Sequence, residues 1–282
     1  MKKTICLACF SILTVILFFS CRSISTEIYN VSSPLINENT SIRIVLVTDL
    51  HNTLYGENQS ILIGKIIEQN PDLIILAGDM FHSRGPMQRT IIFLSGISGI
   101  APIYYVTGNH EYESRKINFI RETLVSFGVN ILSDSYERIE INGNEIIIAG
   151  VEDPFMRRYE IFEYNQDKVM EARFRELDDI ELFSILAAHR PERIEVYKRF
   201  SFNLVLSGHA HGGQVRIPGI LNGLAAPHQG LFPRYAGGLY SHGNLTHIVS
   251  RGLCVNWLPR IFNPPELAVI IVEPAPLDNQ HF

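Results

Sequence analysis

The chain has 282 residues, 46% hydrophobic and 19% charged, which excludes intrinsic disorder and allows a sizeable core. Its 24 Lys+Arg against 29 Asp+Glu give a formal charge of −5. That balance excludes a general electrostatic attraction to nucleic acid, and no nucleic-acid surface is evident.

In chain order, the first element is a segment for export. Lys2 and Lys3 precede an uncharged run from Thr4 to Ser20, so residues 1–20 read as a signal peptide or membrane anchor. A bilayer-crossing helix needs at least about 17 residues, and the run stands at that limit. Ser20-Cys21 resembles a bacterial lipobox, whose cysteine is lipidated and becomes the new N-terminus. Three outcomes stay open: a lipoprotein at Cys21, an uncleaved N-terminal signal anchor, or plain secretion. All place the body outside the cytoplasm, at the cell envelope, and the first two fix it to a membrane through the N-terminus. There is no twin-arginine pair, so the general export route and folding after export are expected.

Removing residues 1–20 moves the charge from −5 to −7, because Lys2 and Lys3 leave and no acid does. Cys6 and Cys9 leave as well. Cys254 is then the only cysteine of the body, so no internal disulfide framework is expected, and it reads as a small apolar group. Residues 21–41 are polar, rich in Ser and Asn, and without sustained period. They read as a flexible tether spanning on the order of 25 Å.

Residues 42–282 read as one domain. Buried-strand runs at Ile42–Thr48, Leu73–Ala77 and Ile103–Val106 alternate with helical patterns at Ser60–Gln69, Met87–Ser98 and Lys116–Phe127. This βαβαβα order predicts parallel strands with crossover helices. Shorter strands are expected at Arg138–Ile141, Glu145–Ala149, Phe183–Ala188, Leu204–Ser207, Gln214–Ile217, Thr246–Ser250 and Leu267–Val272. A helix is expected over Gln166–Arg175, with a further one at Glu192–Lys198.

Polar residues collect where these strands stop, the place where open α/β sheets bind ligands. Asp49 and His51, then Asp79, then Asn109 and His110, then His189, then His209 and His211 follow successive strand ends. Asp-x-His and His-x-His on extended backbone would send both side chains the same way. Imidazole with carboxylate suits Mn, Fe or Zn better than Mg or Ca. Asp49, His51, Asp79, His189, His209 and His211, with the amide oxygen of Asn109, are too many donors for one ion and suffice for two if one carboxylate bridges, and a two-metal site suits in-line displacement. Of the remaining histidines, His82, His228, His242, His247 and His281 show no such placement.

Together, Asp49-Leu50-His51, Gly78-Asp79, Gly108-Asn109-His110-Glu111, His189 and Gly208-His209-Ala210-His211 resemble the calcineurin-like metallophosphoesterase superfamily. Gly150-Val151-Glu152-Asp153-Pro154, Gly212-Gly213-Gln214-Val215-Arg216, Gln229-Gly230-Leu231-Phe232-Pro233 and Asn263-Pro264-Pro265-Glu266 are similar to its bacterial envelope-associated branch. That branch includes membrane-anchored phosphodiesterases and UDP-2,3-diacylglucosamine pyrophosphatases. The resemblance implies an α/β fold, a four-layer α/β/β/α sandwich of two mixed sheets with a dimetal site at the C-terminal strand edge. It implies two divalent metal ions, Mn, Fe or Zn with Mn favoured. Asp49, His51 and His211 would hold the first ion, and Asn109, His189 and His209 the second, with Asp79 bridging. His110 would face the substrate as phosphate ligand or proton donor, and a metal-bridging hydroxide would be the nucleophile.

The implied function is hydrolysis of a phosphodiester or pyrophosphate at the envelope, the substrate being lipid-linked or a nucleotide-sugar lipid. A non-catalytic surface lipoprotein on the same fold, or a general phosphomonoesterase, are the alternatives. Glu111 reads as a structural or solvated acid and Asp153 as a turn residue beside the site. Arg190 reads as a phosphate contact or a surface residue. Leu231, Phe232, Tyr235, Leu239, Tyr240, Trp257, Leu258 and Phe262 either form an apolar rim or pack loops against the sheets.

Overall fold

A strand that is apolar at every position has to be covered on both faces, and the central runs of this chain are. The computed structural model describes residues 23–159, 163–255 and 259–276. The signal or anchor segment, Cys21, Trp257, Leu258 and His281 lie outside the described residues. Ile44 and Leu46 face one core and Val45 and Val47 another.

The first half of the chain gives β1 (Ser25–Ser33), β2 (Ile42–Val47), α1 (Ser60–Glu68), β3 (Leu73–Ala77) and α2 (Gln88–Ile97). It continues with β4 (Ile103–Val106), α3 (Asn109–Glu113), α4 (Ile117–Ser126) and β5 (Val129–Ile131). The second half gives β6 (Ser135–Ile141), β7 (Asn144–Gly150), α5 (Gln166–Phe174), β8 (Phe183–Ala187), α6 (Ile194–Tyr197) and β9 (Leu204–Ser207). It ends with β10 (Ala225–Ala226), β11 (Gly230–Leu231), β12 (Gly238–His242), β13 (Leu245–Val249) and β14 (Glu266–Pro274).

Two mixed sheets result, ordered β1-β14-β2-β3-β4-β5 and β12-β13-β9-β8-β7-β6. Their inner faces share one core, where Ile44 and Ile75 of the first sheet join Ile148, Ile185 and Leu206 of the second. Leu62, Ile66, Phe93, Leu94, Ile120 and Leu124 from α1, α2 and α4 cover the outer face of the first sheet. Met170, Phe174, Ile194 and Tyr197 from α5 and α6 cover that of the second. Each large apolar side chain so buried contributes roughly 1.5–3 kcal/mol relative to exposure. The product is the four-layer α/β/β/α sandwich.

Three expectations need correction. Residues 25–33 of the expected tether are strand β1, parallel to β14 from Ser25↔Glu266 to Ser33↔Pro274. Tyr29 and Val31 turn toward the shared core while Ile28, Asn30 and Ser32 face out. Two inward apolar residues are too few to register as a period, and the pairing partner lies at the far end of the chain. Gln214–Ile217 is not a strand: Gln214 has φ 62°, and only isolated bridges, Val215↔Ile261 and Ile217↔Leu221, form there. Third, β12 pairs antiparallel with β13 as an unexpected edge hairpin.

Topology sets the position of the site. β2, β3 and β4 run parallel, as do β7, β8 and β9. Their C-terminal ends meet along one edge, where the His209 amide donates to Asp49 across the two sheets. Because β14 is antiparallel to β2 and parallel to β1, the chain also enters β1 at that edge.

Candidate metal centre

The turns that follow β2, β3 and β9 carry most of the candidate ligands in an unusual backbone state. Asp49 (φ 53°), His51 (49°), Asp79 (54°), His209 (66°) and His211 (49°) all occupy the left-handed region. Each such residue costs of order 1–3 kcal/mol and persists only where its surroundings over-determine it. This corrects the extended-backbone reading of Asp-x-His and His-x-His, since sharp turns converge the donors instead. Backbone hydrogen bonds hold the turns together, from Asp49 N–H to Gly78 and from His51 N–H to Asp79. Gly108 permits a close approach, since a Cβ there would lie 2.2 Å from Asp79 Oδ1.

Six of the seven expected metal donors form two adjoining groups, and Asn109 stands next to them in sequence between Gly108 and His110. Asp49, His51 and His211 form one group and Asp79, His189 and His209 another, the ligand atoms of each lying within 4.8 Å of one another. Asp79 stands between the groups: its Oδ2 is 3.4 Å from His51 Nε2 and 3.1 Å from His189 Nε2. His189 Nε2 and His209 Nδ1 approach to 3.1 Å. Asn109 opens α3 with its Oδ1 buried. His110 follows it, its backbone N–H donating to Asp79 Oδ1 and its Nε2 lying 4.0 Å from Asp79 Oδ2.

The donor chemistry fits divalent cations. Asp79 Oδ2, His51 Nε2 and Asn109 Oδ1 are buried and make no hydrogen bond, and such buried polar atoms are costly unless a partner meets them. Burial alone would raise the carboxyls, but the rings of His211 and His51 pull Asp49 below the usual range, and His189 does the same for Asp79. Burial opposes charge on His189, yet Asp79 raises it to about 10. The carboxylates therefore draw positive charge to this point. Imidazole with carboxylate and amide oxygen is a set for Mn, Fe or Zn.

A supporting layer fixes these donors. His189 Nδ1 meets the Ala77 carbonyl at 2.9 Å. His209 Nε2 meets His228 Nδ1 at 2.9 Å. His211 Nδ1 meets the Cys254 sulfur at 2.8 Å. Cys254 is therefore no mere apolar filler: burial pushes its thiol up, but His211 and Arg260 outweigh this and bring it to about 6. Glu111 is fully buried and accepts backbone N–H groups of Asp79, Phe81 and Gly108, joining the β3 and β4 ends. Burial and the Asp79 charge raise it to about 7. Arg190 is neither on the surface nor free, since it donates to both oxygens of buried Asp153 at 2.6 and 3.0 Å.

Two histidines without strand-end placement also join the site. His82 lies tilted 4.3 Å from His110 and 5.1 Å from His51, between ring centroids. Its Nδ1 accepts the Arg84 N–H, and Asn52 pins the loop by donating to the carbonyls of His82 and Arg84. The position three residues past Asp79 was the only available signal for His82. His228 lies in the irregular 215–232 loops and had none. A cleft of about 700 Å³ opens beside the centre, lined by His51, His82, His110, His211, Arg84, Arg89 and apolar Leu54 and Ile61. Arg84 and Arg89 pair with no carboxylate among the described residues.

Comparison with known proteins agrees with this architecture. Residues 42–213 match the family described as calcineurin-like phosphoesterase. The chain is 30% identical over 239 residues to an uncharacterized metallophosphoesterase of Helicobacter pylori, covering 83% of this chain and 60% of that one. It thus spans under two thirds of that relative. It is 28% identical over 236 residues to the phosphodiesterase YaeI of Escherichia coli, covering 81% of each. Among solved structures, a 5'-nucleotidase precursor of Thermus thermophilus superposes with a TM-score of 0.52 at 15% identity, over 76% of this chain and 49% of that one.

Proposed function

The chain belongs to the calcineurin-like phosphoesterase family, and on that premise we propose that it is a dimetal hydrolase of phosphodiesters or pyrophosphates at the cell envelope. The observation that carries the reading is Asp79 Oδ2, buried without a hydrogen bond between two groups of His and Asp donors. Asp49, His51 and His211 would hold one ion, and Asn109, His189 and His209 the other, with Asp79 shared. Two ions, Mn favoured over Fe or Zn, would supply Lewis acidity and an activated water at neutral pH.

The chain's own residues do the rest. His110 offers Nε2 to the substrate, and Glu113 Oε2, 2.8 Å from Nδ1, supports positive charge when the ring carries a proton. Burial outweighs this and lowers the ring below its ordinary value, so a proton it carries is readily given to the leaving oxygen. His82, held by Arg84 N–H, stands against His110 and restricts its tilt. Arg84 and Arg89 offer positive charge to a second anionic group, which favours a pyrophosphate over a single phosphate ester. YaeI, named a phosphodiesterase, supports the diester. Lys2, Lys3 and the Thr4–Ser20 run support export and a membrane anchor, through lipidated Cys21 or an uncleaved segment. Leu54 and Ile61 in the cleft suit an apolar group on the substrate, such as a lipid.

A substrate panel on manganese-loaded protein tests this, using an aryl monoester, an aryl diester and UDP-diacylglucosamine. Faster turnover of the diester or the pyrophosphate than of the monoester is expected. Equal turnover of all three would remove the specificity, and none at two bound ions would remove the enzyme.

A further inference from the structure

We propose that the site edge of the sandwich docks on a lipid bilayer, through an apolar patch on the 215–232 loops and Phe262. The inference rests on the envelope reading above and deepens it, because it states how the body sits on the membrane. Ile220 is 85% exposed, Leu231 69%, Phe232 67% and Phe262 51%, with Ile217 and Leu224 also open. Soluble surfaces scatter such residues singly. Here hydrogen bonds gather them into one layer: Phe232 N–H to Leu224, Leu224 N–H to Val215, and Arg216 N–H to Ile261. Of the rim residues expected from sequence, Leu231, Phe232, Leu239 and Phe262 are exposed, whereas Tyr235 is buried and Tyr240 half-buried.

Charge names the occupant. The chain has 29 acidic residues, yet none falls between Val196 and Pro265, where Arg234 is exposed and Arg216 half-buried, while Arg251 is paired with Glu27 and Glu266 and Arg260 is buried. An apolar patch set in an acid-free, basic segment suits the anionic face of a bilayer. A second copy of this chain, net negative overall, has less reason to seek it.

The course of the chain gives the same orientation. Ser25 donates its N–H to Pro265, three residues beyond Phe262, so β1 begins beside the patch. The apolar Thr4–Ser20 run ends five residues earlier, a span of at most about 18 Å. The strand that replaces the expected tether thus leaves no slack to hold the body away from lipid. The patch also borders the donors, since Leu224 N–H bonds Gly213 and Asn263 donates to the His211 carbonyl.

The test uses the full chain on vesicles of phosphatidylethanolamine and phosphatidylglycerol carrying brominated acyl chains. Trp257 is the chain's single tryptophan, so the parent protein is the blank. In Phe232→Trp and Ile220→Trp the added fluorescence should be quenched severalfold more than in Glu145→Trp. Glu145 is exposed near the start of β7, at the opposite edge. Flotation with vesicles but equal quenching at positions 232, 220 and 145 overturns the docking and leaves the envelope reading intact. Failure to float overturns both.

Discussion

Replacing Cys254 by alanine removes one acceptor from one nitrogen of one proposed ligand. His211 faces Asp49 Oδ1 with Nε2, 3.9 Å away, and an ion held at Nε2 would leave the N–H on Nδ1, 2.8 Å from the sulfur. Loss of such an outer partner typically weakens metal binding 10–100-fold, or about 1.4–2.7 kcal/mol. The fold should tolerate the change, because Arg260 still donates to the carbonyls of Cys254 and Arg251 at 2.8 Å each. The buried sulfur's own packing is worth about 1 kcal/mol. Competition with a chelator should therefore show one of two ions weakened by at least tenfold in Cys254→Ala. Cys254→Ser, which keeps an acceptor, should recover most of that loss. Both ions held at parental affinity in the alanine variant would refute the reasoning, as would a serine variant no better than alanine.

Other perturbations test other parts. Gly108→Ala drives a Cβ into the Asp79 carboxylate and should abolish binding of both ions while leaving a folded far-ultraviolet spectrum. Arg190→Ala strands the buried Asp153 carboxylate and should lower stability by about 3–5 kcal/mol in chemical denaturation. His247 is fully buried, and burial lowers it to about 3 from an ordinary 6.5. Its folded form binds fewer protons than its unfolded form, so its contribution is complete above pH 6.5 and falls as pH drops toward 3. By pH 5 it should cost about 2 kcal/mol, and His247→Gln should flatten that part of the stability profile. Asp79→Asn should lose metal and turnover together, and full activity in that variant would remove Asp79 from the site.

The central strands and the donors at their ends were legible because both depend on local order. Apolar runs ending in Asp49, Asp79, Asn109, His189 and His209 state their own chemistry. What escaped reading depends on distant partners. β1 has only Tyr29 and Val31 as inward apolar residues and takes its register from β14. Cys254 and His228 matter through contacts with His211 and His209 across 43 and 19 residues. No local pattern marks either. The turn geometry of the ligands was also hidden, because left-handed Asp and His carry no sequence signature of their own.

β14 lies between β1 and β2, so the first strand of the body is bound to the last, as Ser25 to Pro265 across 240 residues shows. The first sheet therefore cannot close until the C-terminal strand has been made and delivered. A chain emerging N-terminus first would hold β1 unpaired throughout its synthesis, and loop closure over that distance is slow. Order of synthesis thus delays completion of the fold until its last strand arrives.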